Sequence, residues 1–600
     1  MDEILMTPFT PETSDEKLLA LVAAWQKESE PYHNRLLQSQ RAAYEYYLGN
    51  QTDKDSIPPY NSNTVENRIF EAVETLVAIA TAQAHRFQVL PGSDNELAVK
   101  KAELLEQVLR RKFETLNVQQ KLEQITRQML IMRFGVARYE WNEYFDDVNI
   151  RVVDPRAILV PKMRVNHLRE LPYVIELAEY TAQELGTYFP KAIAKHPELT
   201  AASKDAKRID TGQTGVEFKK TRQVMEVWTD EAVGWFTGGV VLGVEANKYY
   251  DFKGTIKRKL DRDNKRMTKQ LIFQNYFTEP HKPYVFFYPF DLTDATLPNI
   301  SLVEIGMPMQ DAINVQKRQI INNLRSMGNG QALVDSDTLT EEETQNITNE
   351  PGLIIRGKGI ASENKFRREA GVPLPTAHFS NLQHSEVVFD NVMGVHAATR
   401  GQSGAKTLGQ DILAREQDVT RIDLITRALN RGVSELAEGL TQLIRLFYSD
   451  VHTIRILGED GTLQFLRFNQ DDVEDGIEVH AKGGDELPMD KVALRTEAIQ
   501  LWQLQGLDPM TLFERLGFPN PEKAAQRLVA WKRGELDMET QQKLQLMERE
   551  AQLGMAATTP GEPKGRPPLN ENRGTETPAN VLQRAQGNLG GTAPVGALSK

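Results

Sequence analysis

At 600 residues the chain can bury several cores, and 40% hydrophobic with 26% charged residues is a globular composition, so two to four structural regions are expected. The absence of cysteine excludes disulfide staples, thiolate metal sites and cysteine nucleophiles, and suits assembly in a reducing cytoplasm. A net charge of −12 argues against a general nucleic-acid binder, although DNA can still pass close by where tight binding would be a fault. The acidic N-terminus MDEILMTPFTPETSDEK has no signal-peptide pattern and no stretch is apolar enough to span a bilayer, so a soluble, unexported protein is expected.

Residues 14–48 predict an amphipathic, aromatic helix interrupted near Pro31 and ended by Gly49-Asn50. After a polar loop with Pro58 and Pro59, residues 64–89 predict a second helix, and residues 94–134 a long helix or a close pair. From Gly135 the period changes. GVARYEWNEY, VNIRVV, AILVPK and YVIELAEY read as strands broken at Asp154-Pro155 and Pro161, and strands continue over 223–250. Residues 253–269, KGTIKRKLDRDNKRMTK, form the strongest basic cluster and read as a solvated hairpin, or as a contact for an acidic or nucleic-acid partner.

The run NISLVEIGMPMQDAINVQKRQIINNLRSMGNG, 299–330, opens on a Ser301/Glu304 capping pair and places apolar or small residues at Val303, Met307, Ala312, Ile313, Ile320, Ile321 and Leu324. It predicts one long helix. Its remaining positions are rich in amides (Gln310, Asn314, Gln316, Gln319, Asn322, Asn323) with isolated cations at Lys317, Arg318 and Arg325, which suits either a wet, weakly sticky surface or a solvated helix packed on a core. QALVDSDTL, TEEETQNITN and PGLIIRGKG then predict a small strand, helix, strand insert, and residues 376–398 a second helix. TRGQSGAKTLGQ is a glycine-rich loop. Residues 411–448 predict a spine helix with a stripe from Ile412 and Val419 through Ile422, Ile425, Leu429, Val433, Leu436, Leu440 and Ile444 to Phe447. Strands return over 452–480, helices over 488–553, and the Gly- and Pro-rich remainder reads as a disordered tail.

No catalytic constellation emerges. Gly401 to Thr407 fails as a P-loop, because Ala405 and Arg400 stand where the motif needs glycines and the preceding segment reads as helix; a flexible loop presenting Arg400 and Lys406 to something anionic fits better. Asp471, Asp472, Glu474 and Asp475 lack the pattern of a calcium loop, and His378 and His384 are six apart, off helical-face spacing. The sequence contains neither a His-Glu-x-x-His nor a Gly-x-Ser-x-Gly motif.

The order of elements, with phrases such as NRIFEAVETLVAIATAQAHRFQVLPGSD and FGVARYEW followed by VDPRAILV, resembles the portal proteins of tailed bacteriophages up to about residue 550. The resemblance implies an α+β, mainly helical subunit with a wing over 1–300, stem helices at 301–327 and 376–398, and a clip over 328–375. It further implies a tunnel loop at 399–410, a spine helix with returning wing strands over 411–487, a helical crown over 488–553 and a tail over 554–600. It implies a non-enzymatic, cofactor-free homo-oligomer, a ring of about twelve subunits at one capsid vertex through which double-stranded DNA passes non-specifically. Its implied partners are the large terminase subunit, head-to-tail adaptor and tail proteins, and major capsid and scaffolding proteins, with no membrane; its place is the virion, after assembly in the host cytoplasm. Lys317, Arg318, Arg325, Arg400 and Lys406 are then channel candidates, because sparse cations repeated around a ring attract phosphate without braking it, and Glu341, Glu342 and Glu343 are candidate clip contacts for a basic partner. A virion adaptor or scaffold without a channel, and an enzyme of nucleic-acid metabolism, are the alternatives.

Overall fold

The computed structural model describes residues 7–52, 57–58, 61–82, 86–165, 167–199, 221–261, 266–290, 296–298, 300–328, 331–334, 337–345, 355–356, 358, 360, 365–369, 371–395, 408–449, 452–457, 463–473, 476–482, 490–504, 506–517 and 521–532. The chain forms two compact units, Met1–Leu507 and Asp508–Lys600.

The first helix, α1 (Asp15–Leu48), runs through Pro31 instead of breaking there. The hydrogen bond that proline forfeits is outweighed by burial on both sides of it, at Leu18, Leu21 and Val22 before and Leu36, Leu37 and Ala43 after. Gly49, at φ +86°, closes the helix in the left-handed conformation. The helix expected from residue 64 starts later. Residues 61–67 are irregular and non-helical, Asn67 caps α2 (Arg68–Ala80) by accepting from the Phe70 N–H at 3.2 Å, and the helix ends well before residue 89. Arg86–Leu90 instead forms β1, with Phe87 and Val89 buried, the alternation of a strand. The 94–134 segment is a close pair, α3 (Glu96–Thr115) and α4 (Val118–Ile131), divided at Asn117, whose φ of +50° no helix accommodates.

The period-2 region forms two antiparallel sheets. β2 (Gly135–Asn142) pairs with β3 (Asp147–Val153) on one side and β11 (Tyr284–Phe287) on the other. The second sheet is a meander of β4 (Ile158–Leu159), β5 (Val174–Thr181), β6 (Thr221–Trp228), β7 (Ala232–Thr237) and β8 (Val240–Ala246), with short helices α5 (Ala182–Tyr188) and α6 (Pro190–Lys195) between β5 and β6. A buried ion cluster joins the sheets. Arg138 of β2 donates to Glu176 of β5 at 3.0 Å and Glu226 of β6 at 2.7 Å, while Tyr284 and Arg151 also bond Glu176. Burial opposes the Arg138 charge, but the Glu226 carboxylate, Tyr284 and Glu176 outweigh it, and removing any partner strands a buried charge. The basic segment forms the expected hairpin, β9 (Thr255–Asp261) with β10 (Arg266–Ile272).

The long helix α7 (Leu302–Gly328) has its capping box: the Ser301 N–H donates to Glu304 at 2.7 Å and the Glu304 N–H to the Ser301 hydroxyl at 3.1 Å. In the insert, β12 (Gln331–Val334) is followed by the acidic α8 (Glu341–Gln345), but its strand partner is β13 (Phe366–Glu369) rather than PGLIIRGKG, of which only residues 355, 356 and 358 are described. Phe366 stands opposite Val334, an apolar pairing that the charged sequence FRRE concealed. Next comes α9 (Thr376–Met393), ended by Gly394 at φ +73°.

The spine, α10 (Leu408–Phe447), buries Ile422, Ile425, Leu429, Val433, Leu436, Leu440 and Ile444; the side chains of Ile412 and Val419 lie outside the described residues, and Phe447 is half-buried. It packs on the three-stranded sheet through two notches seven residues apart, where Gly432 lies against the Phe287 ring and Gly439 against that of Tyr139. Of the returning strands, β14 (His452–Leu457) and β15 (Leu463–Phe468) form a hairpin, whereas β16 (Glu478–Lys482) pairs with β1. Helix α11 (Asp490–Gln503) follows. In the second unit, α12 (Pro509–Arg515), capped by Asp508, packs with α13 (Pro521–Lys532).

Two predictions follow from this core. A Cβ at Gly439 would sit 2.5 Å from Tyr139 ring atoms, so Gly439→Ala should lower stability by about 1–3 kcal/mol, read as a lower urea midpoint. An unchanged midpoint would refute the notch. Burial pushes His33 down from 6.5 to about 4, and burial with the Arg169 and Lys282 charges does the same for His281. The unfolded chain takes up these protons first, so this contribution is complete above about pH 7 and declines as pH falls from 6.5 towards 4. Midpoints measured between pH 7.5 and 4.5 should drop, and less steeply in His33→Leu; parallel curves for the two proteins would contradict the assignment.

Candidate functional site

The amide-rich face of α7 has a use that periodicity did not reveal. Among its six amides, Gln310, Asn314 and Asn322 hold the non-helical strap at residues 61–67, and Gln316 and Asn323 hold α9 and the residues before it. The Arg68 N–H donates to Gln310 at 3.1 Å, the Glu66 N–H to Asn314 at 3.1 Å, and the Ser62 N–H to Asn322 at 2.6 Å. The two segments run antiparallel, and each step of two residues along the strap matches four along the helix, about 6 Å of rise or one helical turn per rung. The missing rung lies opposite Thr64. There the helix carries Arg318, whose Nε returns to the Asn314 carbonyl at 3.1 Å, while the Thr64 N–H is satisfied by the Ser62 hydroxyl.

Gln310 and Asn314 are fully buried, which amides tolerate only with partners on both ends. Gln310 Nε2 donates to the Glu66 carbonyl at 2.6 Å, and Asn314 Nδ2 to Gln51 at 2.7 Å; Gln51 in turn donates to Asn67 and to the Tyr46 carbonyl. The part of the amide face formed by Gln310 and Asn314 is therefore a polar seam inside the subunit, while Gln319 is exposed. Beside it, Lys317 pairs with Glu66 and, at 3.4 Å, with Glu386 of α9, and Arg68 pairs with Glu386 at 3.2 Å and Asp390 at 3.3 Å. Strap, α7 and α9 thus share one ion cluster.

Helices α7 and α9 are antiparallel, since Gly306 lies against Phe389 and Met393, Gln316 bonds Ser385 and the Gly371 N–H donates to the Ser326 carbonyl. The β12–β13 ribbon caps the far end of the pair. Beyond its first half α7 turns outward: Val315, Leu324 and Met327 are exposed, as are Phe379 and Val387 on α9.

The other sequence-derived candidates separate. Lys317 belongs to the ion cluster, Arg318 is half-buried and Arg325 is exposed in the last turn of α7. Arg400 and the loop to Thr407, with Lys406, lie outside the described residues. Glu341 and Glu342 are exposed on α8, and Glu343 sits on the same helix with its side chain outside the described set; Arg367 and Arg368 are exposed nearby in sequence on β13, so the insert carries both signs. Asp472 caps a short turn by accepting from the Asn469 N–H at 2.9 Å. Among the described residues no group of acidic or histidine side chains is arranged to hold a metal, and no helix is long and apolar enough to cross a membrane.

Sequence reasoning missed the strap because residues 64–67 were absorbed into a helix. The available signal was Asn67, a capping residue directly before the periodic Ile69, Ala72, Val73 and Leu76. The ladder makes a direct prediction. Asn314→Ala leaves the Glu66 N–H and the Gln51 side-chain carbonyl oxygen without partners and should cost about 1–3 kcal/mol, with faster hydrogen exchange confined first to residues 61–68. Unchanged exchange there would contradict the ladder.

The sequence model of the phage P22-like portal protein matches residues 24–562. No curated protein sequence matches the chain at a significant level. Among solved structures, a chain of the virion of a native gene transfer agent particle is similar at 10% identity over 80% of this chain and 93% of that one, with a TM-score of 0.38. A chain of the neck of a native gene transfer agent particle, computed with C12 symmetry, is similar at 13% identity over 75% and 89%, with a TM-score of 0.34. These overlays are weak, and the assignment rests on the family match across most of the sequence: the chain belongs to the phage P22-like portal protein family, structural, non-enzymatic virion components that form a homo-oligomeric ring at a capsid vertex.

Proposed function

We propose that the ring this chain forms, of about twelve subunits, is the conduit through which double-stranded DNA enters and leaves the particle. The observation that carries this reading is the antiparallel pair α7 and α9, capped by the small β12–β13 ribbon and locked to the N-terminal helices by the strap, a stem with a clip at its end. In this reading 301–327 and 376–398 are the stem, 328–375 the clip, 399–410 the tunnel loop, 411–487 the spine and returning wing strands, and 1–300 the rest of the wing. Residues 488–553 form the crown and 554–600 the tail. Exposed Val315, Leu324, Met327, Phe379 and Val387 are the stem surface on which adjacent subunits meet, since so many large apolar side chains on two helices call for cover.

DNA driven along the axis must not be held. Each cation that faces the axis recurs in every subunit, so a few per chain suffice to keep phosphates centred, while a continuous basic belt would raise affinity steeply at low salt. Arg318, Arg325, Arg400 and Lys406 are the candidates for this role, with Lys317 serving the clamp from which they project. The clip, through Glu341, Glu342 and Glu343, docks the large terminase subunit during packaging and then head-to-tail adaptor or tail proteins, while the wing meets major capsid and scaffolding proteins during assembly in the host cytoplasm.

Deleting residues 399–410 tests the conduit. Rings should remain intact by negative stain while the yield of DNA-filled particles, measured as nuclease-protected DNA, falls. Full packaging by the deleted ring would reject the conduit role of the loop, and collapse of the ring would make the loop a structural hinge.

A further inference from the structure

The basic hairpin β9–β10 has no role of its own in the reading above, and its register makes a specific demand. Cross-strand partners in an antiparallel pair share a face, and alternate residues share it along each strand. Arg258 stands opposite Lys269, flanked on that face by the apolar pairs Ile256 with Leu271 and Leu260 with Met267. Like charges directly opposite each other destabilise a ribbon, and among the described residues no third strand pairs with this one, although a lone two-stranded ribbon is marginal in water.

The apolar character continues into the base of the ribbon, where Phe252, Leu271 and Phe273 are all exposed, at 43%, 52% and 46%. Gly254, at φ +66°, lets Leu271 and Phe273 close around the turn; a Cβ there would meet them at 2.9 and 3.1 Å. The base is fixed. Asp251 accepts from the Gly254 N–H at 2.8 Å and the Gln274 N–H at 3.2 Å, Asn275 bonds back to Asp251, and Gln442 of the spine helix accepts from the Tyr276 and Phe277 N–H groups. A ribbon of seven-residue strands, about 24 Å long, therefore leaves a rigid anchor, and its register puts Arg258 and Lys269 between apolar pairs on one face.

Residues 253–269 hold eight cations and two carboxylates, a net +6, which leaves −18 on the rest of the chain. Nucleic acid would neutralise the cations and leave the apolar positions in water, whereas an acidic protein surface covers both. In a homo-oligomeric ring the acidic surface present at every site is the neighbouring copy. We propose that the β9–β10 ribbon is an inter-subunit arm, whose face bearing Arg258 and Lys269 between apolar pairs lies on an acidic surface of the adjacent subunit. The inference rests on the ring reading.

The cysteine-free chain makes the test clean. Full-length Leu260→Cys carrying a cysteine-linked photo-crosslinker is mixed with an isotope-labelled copy, assembled, checked as a ring by mass photometry and irradiated. Crosslinks joining light and heavy chains are expected. Crosslinks confined to single chains, or formed only with added double-stranded DNA, in rings of normal mass would overturn the arm while leaving the portal reading intact; failure of the unmodified chain to form any ring would count against the portal reading itself. Arg258→Glu with Lys269→Glu should raise the concentration needed for half-assembly about tenfold with an unchanged circular dichroism spectrum, whereas Lys257→Glu with Lys259→Glu, on the opposite face of the register, should change it much less. Equal effects from the two pairs would reduce the ribbon to a bulk charge effect and refute the specific face.

Discussion

The structure depends on how closely the spine helix can approach the three-stranded sheet. Glycines at 432 and 439 stand seven residues apart on the buried stripe of α10, and the rings of Phe287 and Tyr139 occupy the space their side chains would take. Close packing of this kind fixes a helix in rotation and translation, because a shift of one residue would replace each notch with a side chain. Much else is referenced to that helix. Arg169 reaches Glu438 on it at 2.9 Å, Gln442 anchors the base of the basic ribbon, and Tyr448 just beyond its end donates to Asp147 of β3.

Helix α7 is tied to this frame in a different way. Its inner half is apolar, with Val303 and Ile313 buried, and its link to the N-terminal helices is a polar seam of Gln310, Asn314, Gln51 and Asn67 in which each amide both donates and accepts. Fully satisfied buried amides specify a register that greasy packing would not, since a slip of one turn leaves unpaired polar groups at both ends. The adjoining ion cluster extends that register to α9 through Glu386 and Asp390. The α7–α9 pair is therefore held in a defined register on the rest of the subunit, as a subunit that must match identical neighbours around a closed ring requires.

Element types were legible wherever one periodicity ran long enough to dominate. The spine stripe from Ile422 to Ile444, the capping pair Ser301 and Glu304, and the strands after Gly135 all appear as read. Departures came where local rules met tertiary demands. Pro31 sits inside a helix held on both sides, the strap was read as helix until Asn67, and β1 and β13 were hidden because their partners, β16 and β12, lie far away in sequence. The amides of α7 looked like a solvated face because a helix that binds the backbone of a non-helical segment needs the same residue types as one facing water. Lys317 was visible as an isolated cation, but its carboxylate partners on two other elements were not. The closed seam inside the subunit accounts for Gln310 and Asn314, and the exposed apolar residues beyond it account for a need for neighbours.

The most direct test of this account is the native mass of the purified full-length chain, measured by mass photometry with negative-stain images of the same sample. The account predicts a closed ring of about twelve copies with a central hole. A strict monomer across concentrations, with scaffolding protein added as well as without it, would contradict it.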